Sequence, residues 1–136
     1  MNSHQKVTIC LKNGKFQPCG TLKIENLNPK ALLLCATAQC AGFTIMSLLA
    51  KSNIMPKNLE ITAEGDLNTP TLQAESIFTS FKISYKVECK SLSDQNSVSS
   101  AIEMAQEKRC GMIAMLRKIA PVSHDIAIVS TETEKL

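Results

Sequence analysis

Tryptophan is absent, tyrosine occurs once, and the basic residues lie scattered in a chain of 136 residues whose net charge is only +3. With few aromatic platforms and no basic stripe, nucleic-acid binding has no footprint here. No two of the six cysteines form a CxxC pair, and the two histidines, His4 and His124, stand apart from them in sequence. That pattern argues against a zinc site, and no metal or cofactor is expected. Met1–Lys6 leads into an alternating segment rather than an apolar stretch with a cleavage site, so no secretory leader is read and a cytoplasmic location is expected. A disulfide framework is not needed by a chain of this size and apolar content, and most of the cysteines read as small buried hydrophobes.

Long apolar runs are also scarce. The one uncharged run, Ala31 to Ala50, is 20 residues long, which is enough to cross a bilayer. Against a membrane span stand Thr37, Gln39, Thr44 and Ser47 within it, no Trp or Tyr at its ends, and strand-like soluble sequence on both sides. A buried central helix fits better, and no membrane partner is expected.

What is present is a set of clear periodicities. Val7, Ile9 and Leu11 alternate with polar neighbours, Asn13-Gly14 is a strong hairpin signal, and Leu22 and Ile24 alternate in turn, which predicts a β-hairpin interrupted near Pro18. Asn28-Pro29 predicts a helix start, with Asn28 as N-cap and Pro29 at the first helical position, and the helix is expected to end near Asn53. Leu59, Ile61 and Ala63 predict a strand followed by a loop from Gly65 to Pro70, and Phe81, Ile83, Tyr85 and Val87 predict its antiparallel partner. Ser93 or Asp94 can cap a second helix with Val98, Ala101, Ile102 and Ala105 on one face. A short third helix holds Met112, Ile113 and Leu116 and stops before Pro121, and Ile126 and Ile128 make a closing strand ahead of a frayed tail from Glu132. The expectation is a single α+β domain spanning residues 1–136, in the order β-β-α-β-β-α-α-β. One small sheet cannot cover a helix that is apolar nearly all round, so an intimate homodimer is predicted.

Two thiols fall inside these helical patterns. Thr37, Cys40, Thr44 and Ser47 recur at spacings of three and four, placing Cys40 on a small polar stripe of the long helix. Cys110 opens a second apolar segment after Glu107-Lys108-Arg109. Asn28-Pro29 and the leucines that follow, then Ala38-Gln39-Cys40, then Lys108-Arg109-Cys110, occur together and in order. From about Asn28 onward the chain thereby resembles the OsmC/Ohr family of osmotically inducible and organic-hydroperoxide-resistance proteins.

The resemblance implies an OsmC-like intertwined homodimer, with central helices flanked by antiparallel sheets and active sites where the subunits meet. It implies a thiol peroxidase in oxidative-stress defence, acting on organic hydroperoxides, with Cys40 attacking the peroxide, Cys110 resolving, and a dithiol or lipoyl-protein as reductant. Cys10, Cys19, Cys35 and Cys89 read as structural or surface thiols. The chain departs from the family pattern at two points: Lys30 stands where active members carry a glutamate, and the family's N-terminal arginine has no counterpart, since the arginines here are Arg109 and Arg117. A thiol buried among leucines ionises poorly without a cation. Lys15, Lys23, Lys30 or Arg109 could supply one. The departures also open a second reading, a non-catalytic dimer that binds a small apolar or thiol ligand.

Overall fold

The computed structural model describes residues 3–20 and 23–130. Strand β1 (His4–Lys12) turns at Asn13 and Gly14, both at positive φ, into β2 (Lys15–Pro18). A long helix, α1 (Pro29–Lys51), leads to β3 (Asn58–Leu67) and β4 (Phe78–Cys89). Helix α2 (Asp94–Met104) continues through a π-helical turn, Ala105–Arg109, to a short α3 (Gly111–Arg117) and then β5 (Val122–Ser130). The five strands form one sheet in the order β2-β1-β3-β4-β5. Pairing is antiparallel except between β4 and β5, which run parallel. A parallel neighbour requires a long crossover, and α2, the π-turn and α3 provide it.

The predicted element order holds, with two local corrections. The hairpin's second strand is Lys15–Pro18, and Ile24 lies in a 3-10 turn, Ile24–Asn26; Leu22 lies outside the described residues. The two-residue turn sets the register, pairing Lys12 with Lys15 and sending Phe16 inward, and Gly20 at positive φ closes the excursion. The second correction is at Gly65, which does not begin a loop: β3 runs on to Leu67, still paired with β4.

One face of the sheet is the core. Val7 and Ile9, and Leu59, Ile61 and Ala63, alternate inward beneath α1, and Ile83, Tyr85 and Val87 are buried on the same face where β4 meets α2 and the π-turn. Helix α1 answers with Leu34, Ala38, Ala41, Ile45 and Leu49, a single stripe at spacings of three and four. The Asn28 side chain caps it by accepting from Ala31 N–H at 3.0 Å, and its amide donates to Gln5 Oε1 at 2.9 Å, fixing the helix entry to β1. Gly42 lets α1 approach closely, because a Cβ there would lie 2.6 Å from the Phe16 ring. The apolar run is thus the core helix of an α+β fold, although Phe43, edge-on to Phe16 with ring centroids 5.7 Å apart, remains 59% exposed.

Candidate functional site

Cys40 sits at the middle of α1, half-buried, and Cys110 is buried at the N-cap of α3. The π-turn sets the second position: Cys110 N–H donates to Ala105 O at 3.0 Å, an i to i+5 bond. The added residue turns Cys110 back toward α1, a use of π-turns that recurs at functional sites. The Cys110 thiol donates to the Cys40 sulfur at 3.0 Å, so the two sequence-predicted residues, 70 positions apart, meet.

Their surroundings differ. Burial first, then the bond to Cys40, pushes the Cys110 thiol up to about 12, while backbone N–H groups of Ile113 and Met112 pull it weakly the other way. Cys110 therefore keeps its proton at neutral pH. Beside it, Tyr85 Oη donates to Gln106 Oε1 at 2.5 Å, and burial, with Cys110 nearby, holds the phenol well above its ordinary value. Among the described residues Gln106 Nε2 is buried without a partner. The sequence gives no hint of this pair, because it depends on β4 meeting the π-turn.

The polar stripe of α1 behaves as small-residue packing. Thr37 Oγ1 donates to Leu33 O at 2.9 Å and Thr44 Oγ1 to Cys40 O at 2.8 Å. One turn beyond Cys40 a groove of about 360 Å³ is lined by Phe43, Thr44, Ser47, Leu48, Lys51 and Arg109. Of the candidate cations, Lys30 is engaged elsewhere: its Nζ donates to Gln73 O at 3.1 Å and Ala74 O at 3.2 Å, tying the β3–β4 loop to the helix entry. Arg109 lines that groove beside Thr44 and Ser47 of α1.

The remaining cysteines divide. Cys35 and Cys89 are buried, as expected. Cys10 and Cys19 are not free thiols but a disulfide across the hairpin, with Cα atoms 5.4 Å apart. Sequence spacing alone did not suggest it, because the pairing follows from where β2 ends.

A five-stranded sheet with three helices, one helix presenting a thiol to a second thiol at the foot of another, defines a small α+β protein of the two-thiol type. A family model described as OsmC-like protein matches residues 22–125, and the chain belongs to that family. Protein YhfA of Escherichia coli (strain K12) is 25% identical over 105 residues, which cover 76% of this chain and 74% of YhfA. Among solved structures, an OsmC like protein from Mycoplasma pneumoniae superposes with a TM-score of 0.62 at 13% identity, covering 95% of this chain and 97% of its own. An organic hydroperoxide resistance protein OsmC from Legionella pneumophila gives 0.53 at 19% identity, covering 81% and 73%. These likenesses show the OsmC fold.

Proposed function

We propose that the protein is a thiol-dependent reductase of organic hydroperoxides, with Cys40 as the attacking and Cys110 as the resolving thiol. The observation that carries this reading is the 3.0 Å separation of the two sulfurs. The Cys40 thiolate attacks the peroxide, the O–O bond breaks, and the alkoxide leaves and takes a proton, giving an alcohol and a Cys40 sulfenic acid. The Cys110 thiol condenses with the sulfenic acid, releasing water and forming the disulfide. That bond needs the sulfurs to close by only about 1 Å. An external dithiol, free or lipoyl-bound, then exchanges with the disulfide and is itself oxidised.

The division of labour follows exposure. Half-buried Cys40 can meet a substrate, while Cys110, kept protonated by burial, waits behind it. Arg109, which lines the groove one turn beyond Cys40, is the cation we assign to the site, in place of the arginine that the family brings from its N-terminal strands. The working unit we assign is a homodimer of single-domain chains, 1–136, in a reducing cytoplasm.

The second reading is a non-catalytic dimer that binds a small apolar or thiol ligand. Lys30, turned toward the carbonyls of Gln73 and Ala74 rather than the thiols, favours it. One measurement separates the two: consumption of cumene hydroperoxide with a dithiol reductant, wild type against Cys40→Ser. The enzyme reading expects turnover that falls to the uncatalysed background in the variant. Equal inertness of both proteins would leave only the binding role.

A further inference from the structure

The sheet carries a second pair of sulfurs on the face opposite α1. Cys10 follows inward-facing Ile9 on β1 and so points outward, and it stands in a cross-strand row with Gln17 on β2, Glu60 on β3 and Lys86 on β4. Cys19, just past β2, is held over the same spot by its N–H, which donates to Thr8 O at 3.0 Å. Glu60 Oε1 lies 3.8 Å from the sulfur of Cys10 and 3.8 Å from that of Cys19. All three residues are half-buried, and their ligand atoms lie within 4.8 Å of one another. A carboxylate set against two sulfurs from two further chain segments is a soft, anionic donor set.

We propose that Cys10, Cys19 and Glu60 form a redox-gated site for a thiophilic divalent cation of the zinc class, closed when the two sulfurs are bonded and open when they are reduced. The step balances with an external dithiol, which gives two electrons and two protons, becomes a disulfide itself and leaves two thiols. The cation then displaces both thiol protons and binds two thiolates and the carboxylate, with a fourth position open to water. A tetrahedral ion with these donors holds its sulfurs about 3.8 Å apart and each sulfur about 3.6 Å from the oxygen. The oxygen already stands at that range. Only the sulfurs must part, which side-chain rotation about Cα atoms 5.4 Å apart permits. Lys86, in register with Glu60, offsets the surplus negative charge of the filled site. The lack of CxxC spacing hides such a site, since its ligands come from neighbouring segments of a sheet rather than one loop. The site does not depend on the peroxidase reading, because it shares no residue with the Cys40–Cys110 pair.

The test uses the full chain in a Cys40→Ser/Cys110→Ser background, so that the other thiol pair cannot contribute. After reduction with a phosphine, anaerobic titration with Co²⁺ is followed by thiolate-to-cobalt absorption, and Zn²⁺ retained after desalting is counted by elemental analysis. Expected are one equivalent of either ion per reduced chain, its release on reoxidation, loss of the band in Cys10→Ser or Cys19→Ser, and a roughly tenfold or greater fall in affinity in Glu60→Gln. The proposal is overturned by a disulfide that excess reductant leaves intact, by a reduced chain that takes up no metal, or by uptake unchanged in the cysteine variants. If those variants fold poorly by circular dichroism, Glu60→Gln decides alone, and unchanged affinity there overturns it.

Discussion

At the scale of single residues, the two central thiols are made unequal by their surroundings. Cys110 is buried and its ionisation disfavoured, which suits it to the resolving role proposed for it. In Cys110→Ser, peroxide consumption should stop after about one equivalent per chain, with Cys40 trapped as a sulfenic acid that a dimedone probe tags in the mass spectrum. Continued turnover in that variant would remove the resolving role. The same burial sets a pH dependence. A thiol whose folded value is raised from about 8.5 toward about 12 binds its proton more tightly in the folded chain, so its contribution is complete below about pH 8.5 and is lost as pH climbs toward 12. Urea midpoints measured at pH 8 and pH 10.5 should therefore fall further for the wild type than for Cys110→Ala. That Cys40 sits on the long helix was legible in the sequence from apolar spacing; that Cys110 stands outside the helices, in extended backbone at the N-cap of α3, was not, and neither were the disulfide at Cys10–Cys19 and the buried Tyr85–Gln106 pair, which leave no periodic trace.

At the scale of elements, α1 and the π-turn before α3 locate the site. The helix start was readable because Asn28-Pro29 is local chemistry: a side-chain acceptor for Ala31 N–H, and a residue with no N–H of its own at the first helical position. The extent of β3 was not. Gly65 reads as a turn in isolation, yet it lies in the strand opposite Phe81, where a Cβ would come 2.6 Å from the Phe78 ring and 2.8 Å from Ser80 O. The glycine there admits a ring and a neighbouring backbone. Gly65→Ala should destabilise by about 1–3 kcal/mol, since the backbone oxygen cannot retreat without opening the ladder; a midpoint equal to wild type in chemical denaturation would contradict this. The π-turn was equally hidden, because one extra residue before Cys110 depends on the packing of α2 and α3 against α1.

At the scale of the whole molecule, a helix apolar nearly all round lies on a sheet that covers one side of it. Phe43, Met115 and Ile119 are large apolar side chains left exposed, Phe43 by 59%. A dimer through α1 should appear in sedimentation velocity, and Phe43→Glu should shift it toward monomer and lower peroxide turnover together, since Phe43 also lines the groove beyond Cys40. A wild-type monomer at micromolar concentration would refute the assembly. The sequence by itself determined the main helices and strands, their order and the place of Cys40 on the long helix, because period, caps and turns are set by neighbours a few residues apart. Only the tertiary structure decided that Cys40 and Cys110 touch, that Lys30 serves a loop, and that Cys10, Cys19 and Glu60 converge. Those outcomes rest on register and helix packing, which bring together atoms that the chain keeps tens of residues apart.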